Sequence, residues 1–186
     1  MTFLHDAEYR TESWQRRHSP EAIAQLGVWR WNGIQDNAAR ILDIICGKRV
    51  IDFGGADGPL GFGSIVVDEK ADHKTLDDID GPIDVIFTSH TLEHLNNPAH
   101  WICETRSKLN KGGYLIVHVP SWTCQRWHKD AYVNPKQKNG HKHTLSLLPA
   151  AGDEVTKGVL DWFRGWAIEL AEYVGDDSIL VIARKP

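Results

Sequence analysis

Apolar residues gather in compact runs along this chain, and each run ends in glycine, proline or an acid. Val50, Ile51 and Phe53 enclose a single carboxylate, Asp52, before the chain breaks into a turn holding Gly54, Gly55 and Gly58. That pattern predicts a buried parallel strand entering a ligand-binding turn at its carboxyl end, with glycines free to take positive φ. Upstream, Ser19-Pro20-Glu21 predicts a helix start running to about Trp31. A second helix over 34–46 shows Ile34, Ala38, Ile41, Leu42 and Ile45 on one face, with Gly47 as its stop. Residues 64–68 form the next strand. Only 57–64 separate it from the glycine turn, so the usual crossover helix is missing or reduced to a turn. A short strand near 73–76, an acidic turn (Asp77, Asp78, Asp80) and a strong strand over 83–88 follow. Residues 89–95 read as a loop or helical turn. Asn97-Pro98 opens a helix to about Leu109, closed by Lys108, Asn110, Lys111 and Gly112, and a strand over 114–119 ends at Pro120. After a long loop over 121–150, a helix over 153–166 precedes a hairpin of 167–174 and 178–183. The alternation predicts a doubly wound, mostly parallel α/β sheet with an antiparallel C-terminal hairpin.

Composition narrows the picture only a little. With 186 residues, 41% hydrophobic and 25% charged, one domain with a real core is expected, spanning 1–186. Within it, 1–48 are N-terminal helices and a lid, 49–119 the core, 121–150 a long loop and 153–186 a terminal helix and hairpin. A net charge of −4 argues against a general nucleic-acid or membrane-surface binder. Cys46, Cys103 and Cys124 are odd in number and unevenly spaced, which suits reduced thiols in a cytoplasmic protein. Residues 1–17 are too polar for a signal peptide, and no apolar run approaches membrane-spanning length.

Four signals in order carry a family resemblance. They are Val50-Ile51-Asp52-Phe53-Gly54-Gly55-Ala56-Asp57-Gly58, then Asp68 at the end of the second strand. The third is Ile83 through Ser89-His90-Thr91-Leu92-Glu93-His94, and the fourth Leu109-Asn110-Lys111-Gly112-Gly113 before a strand. Together they resemble a small class I S-adenosylmethionine-dependent methyltransferase of the Leu-Glu-His type, a Rossmann-like fold. The resemblance implies that Asp52, Gly54, Gly55, Ala56, Asp57 and Gly58 wrap the methionine part of S-adenosyl-L-methionine. It implies that Asp68 holds the ribose hydroxyls, that backbone beside Leu76 meets adenine, and that Ser89 and His90 border the cofactor. Ala56 replaces the family's middle glycine, which requires that residue to keep negative φ.

The expected activity is methyl transfer to a small-molecule acceptor, at oxygen or nitrogen rather than carbon. His90 or His94 would take the acceptor's proton, with Glu93 in the same turn. Trp122, Trp127, Tyr9, His141 and His143 are the candidate acceptor residues. Arg126, Lys129, Lys136, Lys138 and Lys142 give that side a local positive character suited to an anionic or aromatic acceptor. The alternative is a non-catalytic cofactor-binding or partner subunit of the same fold. His90, Glu93 and His94 also fit the H-x-x-E-H pattern of a zinc protease family. That chemistry needs both histidines on a helix, whereas His90 closes a strand. Some methyltransferases of this fold hold a divalent ion from this turn; here that set would be His90, Glu93 and His94 with His141 or His143. The reading adopted from sequence is no metal, with Glu93 and His94 ordering the loop by hydrogen bonds.

Overall fold

The computed structural model describes residues 32–123, 140–148, 156–175 and 177–186. Two short helices, α1 (Asn32–Asp36) and α2 (Ala38–Ile45), occupy the span expected to be one helix. Asn37 breaks it: its side-chain amide donates to the Gly33 carbonyl at 3.1 Å and its own N–H turns to Ile34 O. An asparagine that bonds its own backbone competes with the helical ladder. The predicted apolar face is intact, with Ile34, Ala38, Ile41, Leu42 and Ile45 all buried.

Strands β1 (Val50–Phe53), β2 (Ile65–Val67), β3 (Ile83–Ser89) and β4 (Leu109–Pro120) pair in parallel, and β8 (Ser178–Arg184) and β7 (Ala167–Val174) close the sheet in antiparallel. The order is β2-β1-β3-β4-β8-β7. Both faces are covered, which is why the central strands read as unbroken apolar runs rather than alternating ones. Ile51, Ile86, Leu115, Val117 and Val181 point into one core, while Val50, Val85, Phe87, Ile116 and Ile182 point into the other, against α1 and α2.

Three expectations need correction. No strand forms over 73–76; His73 makes one isolated bridge to Val67, and a 3₁₀ turn follows at Leu76–Asp78. Asp78 causes this by accepting from the amides of Lys74 and Thr75, at 2.7 and 2.8 Å, which removes them from any ladder. The described part of the helix expected over 153–166, residues 156–166, is not an α-helix either. Thr156–Gly158 is a short strand, β6, paired in parallel with β5 (Thr144–Ser146), and Val159–Phe163 is a 3₁₀ turn. A β-branched residue and a glycine within three positions are poor helix formers, and β5 offers them a partner. Finally, Gly112 ends no helix: α3 (Pro98–Lys108) passes directly into β4, and Gly112, at φ 74°, lies in an irregularity of that strand.

The start of α3 is as expected. Asn97 accepts from the amide of His100 at 3.1 Å, with Pro98 following it. Asn97→Ala should cost about 1 kcal/mol of stability in denaturant titration, and Asn97→Asp should retain most of it.

Between β1 and β2 the crossover helix is replaced by turns. Gly61, Phe62 and Gly63 all take positive φ (80°, 55° and 71°), folding the chain back sharply enough to keep the two strands parallel. Leu60, fully buried, anchors this segment in the α1–α2 core. No helix among the described residues is long and apolar enough to cross a membrane.

Candidate functional site

β1 has β2 on one side and β3 on the other, so the sheet changes direction between β1 and β3. At such a switch point the loops diverge and open a crevice beyond the strand ends. The glycine turn after β1 and the turn after β3 meet there.

The glycine turn is shaped by two close approaches. Gly54 stands at φ 81°, and a Cβ there would lie 2.1 Å from Thr91 Oγ1. A Cβ on Gly55 would lie 2.1 Å from Asp52 Oδ2. Of the three turn glycines only Gly54 requires positive φ; Gly55 is needed for space, and Ala56 is not among the positive-φ residues. Asp52 organises the turn from below: nearly fully buried, its Oδ2 accepts from the Leu60 amide at 2.6 Å. Burial pushes its carboxyl up to about 6, with the Leu60 N–H working against the rise and the nearby Asp68 adding to it. Gly54 N–H donates to Val67 O at 2.8 Å, joining the turn to β2.

Above this turn lies a cleft of about 610 Å³, bordered by Gly54, Asp57, Asp68, His90, Thr91 and His94. A pocket of about 300 Å³ adjoins it, sharing Phe53 and Lys74, and Leu76 and Trp101 line that second space. Phe53 and Trp101 pack with ring centroids 4.5 Å apart. Across the cleft mouth Lys70 Nζ meets Asp57 Oδ2 at 2.6 Å, both side chains exposed.

The turn after β3 is a single 3₁₀ turn, Leu92–His94, not the helix a zinc protease would need. His90 sits before it at φ 50°, a conformation uncommon outside glycine. Its Nε2 faces Ser178 Oγ at 3.4 Å and its Nδ1 faces Glu93 Oε1 at 3.5 Å. His94 is the more open of the two, with 38% of its side chain exposed and its Nε2 3.9 Å from Glu93 Oε1. Glu93 itself is completely buried. Burial opposes its charge, but His90, His141 and His94 together outweigh burial and hold its carboxyl below the usual range.

His141, expected on the acceptor side, belongs instead to this cluster. It is buried, its Nε2 lies 3.6 Å from Glu93 Oε1, and its ring meets that of His94 edge-on at 4.6 Å. Backbone pairing puts it there, because Lys142 N–H donates to Glu93 O at 2.8 Å. His143 points elsewhere, its Nε2 against Leu95 O at 2.8 Å. Ser89, expected beside the cofactor, bonds His118 Nδ1 at 2.9 Å and is not among the residues bordering the cleft. Trp122 is half exposed just after β4, with its backbone N–H donating to Leu145 O. Tyr9 and Trp127 lie outside the described residues.

Sequence reasoning placed Thr91 only as part of the turn after the third signal, and missed His118 and Ser178. His118, a lone polar residue inside the apolar run of β4, was a usable signal. Ser178 gave none.

Comparison with solved structures shows the same fold. A chain of the Haloferax volcanii complex between the Trm112 methyltransferase activator and a proposed methyltransferase superposes with a TM-score of 0.57 at 13% identity, covering 94% of this chain and 95% of that one. An S-adenosylmethionine-dependent methyltransferase from Mesorhizobium loti gives 0.52 at 16% identity, over 82% and 98%. TehB from Haemophilus influenzae gives 0.52 at 13% identity, over 85% and 64%. No curated protein matches the sequence. A family model described as a methyltransferase domain matches residues 26–170, most of the chain, and the protein belongs to that methyltransferase-domain family.

Proposed function

We propose that this protein transfers a methyl group from S-adenosyl-L-methionine to a small-molecule acceptor, at oxygen or nitrogen. The observation that carries this reading is the glycine cradle, pinned from below by Asp52 and opening on a cleft that holds Asp68. The residues present fit the cofactor. A backbone that no Cβ may enter lets a ligand approach closely, the Asp68 carboxylate, whose Oδ1 accepts from the Lys70 amide at 2.9 Å, suits a ribose diol, and the adjoining Leu76–Trp101 pocket suits a flat base.

When bound, the cofactor supplies a methyl on a cationic sulfur; the acceptor's lone pair forms the new bond as the carbon–sulfur bond breaks and its electrons pass to sulfur. The chain's own residues align and shield. Gly54 and Asp57 bound the methionine end, and Asp68 accepts hydrogen bonds from the ribose hydroxyls. The acceptor's proton leaves toward the Glu93–histidine cluster, of which His94 has the freest access to the cleft. Trp122 supplies a flat surface on the acceptor side. The free, exposed Cys46 and Cys103 suit the reducing cytoplasm that belongs to this reading.

Calorimetry with S-adenosyl-L-methionine tests it. Asp68→Ala should weaken binding by about 10- to 100-fold, the worth of lost charge-assisted hydrogen bonds. Equal affinity in wild type and variant, or no binding in wild type, would sink the reading. The missing crossover helix favours one competitor, a non-catalytic member of the fold; methyl transfer from labelled cofactor to any cell-extract fraction dismisses it.

A further inference from the structure

Glu93 is buried in a way that costs free energy. It has no exposed surface, and neither carboxylate oxygen has a hydrogen-bond partner among the described residues. An isolated buried carboxylate is among the most unfavourable groups a protein can hold. The sequence reading, in which Glu93 orders its loop by side-chain hydrogen bonds, does not account for it.

What surrounds Glu93 is three imidazole nitrogens grouped about one oxygen. His90 Nδ1, His141 Nε2 and His94 Nε2 lie 3.5, 3.6 and 3.9 Å from Oε1. Charge-assisted hydrogen bonds to a carboxylate run at about 2.7–2.9 Å, so these contacts are long for ion pairs. They match another geometry. Two ligand atoms each about 2.1 Å from one tetrahedral ion stand about 3.4 Å apart. Ligand atoms of Glu93, His94 and His141 all fall within 4.8 Å of one another.

We propose that Glu93, His94 and His141 bind a divalent transition cation, with His90 at the margin of the site. Imidazoles with one carboxylate favour zinc, cobalt or a similar metal over magnesium or calcium, which prefer oxygen donors. His143 is not a ligand, since its Nε2 is directed at the Leu95 carbonyl. Three protein ligands leave a coordination position open, and His94 borders the cleft, so that position faces the acceptor side. There the cation would polarise an acceptor hydroxyl and make its proton easier to remove; with His94 engaged as a ligand, that proton would pass to solvent in the cleft rather than to His94. This role rests on the methyl-transfer reading; the existence of the site does not.

The test uses tag-free protein stripped with a chelator, then titrated separately with Zn²⁺, Co²⁺ and Mg²⁺ alone. Zn²⁺ should bind as a single equivalent by calorimetry, Co²⁺ should develop the visible absorption of a low-coordinate nitrogen and oxygen site, and Mg²⁺ should not bind detectably. Glu93→Gln and His141→Ala should each weaken Zn²⁺ by about 100-fold or more, and His143→Ala should leave it unchanged. If Glu93→Gln does not fold, His94→Ala, at a partly exposed position, carries the same comparison. No saturable Zn²⁺ binding in wild type would overturn the proposal and leave one protonated histidine as the partner of Glu93. Equal loss in His143→Ala, or none in His141→Ala, would overturn it too. Cofactor calorimetry on the stripped protein separates the two readings: cofactor binding without cation binding removes only the cation, and the converse removes only methyl transfer.

Discussion

Gly54→Val should abolish detectable binding of S-adenosyl-L-methionine and lower stability by about 3 kcal/mol. Two costs combine. The backbone at φ 81° disfavours any side chain and a β-branched one most, and the new Cβ would enter Thr91, with Oγ1 at 2.1 Å, Cγ2 at 2.6 Å and Cβ at 2.8 Å. Thr91 cannot simply rotate away, because its hydroxyl donates to Ser89 O at 3.1 Å and its backbone begins the Leu92–His94 turn. A push on Thr91 is therefore a push on His94 and Glu93. Gly47→Ala serves as the control: it shares a positive φ of 71° but has nothing within 4 Å of the new Cβ, so it should cost only about 1 kcal/mol and leave binding intact. The excess at Gly54 measures the contact between the two turns. Thr91→Ala in the Gly54→Val background should recover part of the stability, since it deletes two of the three clashing atoms. Equal stability losses at Gly54 and Gly47 would show that the turns are not coupled.

Asp52→Asn should stabilise the fold at neutral pH while weakening cofactor binding. Folded Asp52 titrates at about 6 against an ordinary value of 3.8. Between those values the native protein keeps a proton that the unfolded chain has lost. This group's contribution to stability therefore falls as pH rises from about 4 to 6 and is level above about 7. The full difference is about 3 kcal/mol. Asparagine offers the Leu60 amide the same acceptor without the charge, so denaturant titrations of the two proteins should agree near pH 4 and diverge to about that amount near pH 7.5. A variant equally destabilised at both pH values would contradict the account. A buried charge kept at such a cost beneath a turn that would hold a cationic donor marks a functional position. Its loss should weaken cofactor binding by about tenfold or more.

Much of the framework was legible in the residues. The runs at Val50–Phe53, Ile83–Ser89 and Ser178–Arg184 became strands, the missing crossover was visible as a short interval, and Asn97-Pro98 marked a helix start. These are local signals: apolar periodicity, glycine freedom and cap chemistry act within a few positions. The misreadings arose where a polar side chain captured nearby backbone, as Asp78 and Asn37 do, or where a distant strand offered a partner, as β5 does for Thr156–Gly158.

The sequence by itself determined the strands of the main sheet, the glycine cradle and the acid beneath it, because each depends on neighbours in the chain. Only the tertiary structure decided which polar groups meet. Thr91 against Gly54, Ser178 against His90, and His141 rather than His143 against Glu93 all follow from how strands and returning loops align. Hydrophobic patterning specifies which face is buried, while a polar contact depends on an alignment that a single backbone bond, Lys142 N–H to Glu93 O, is enough to set.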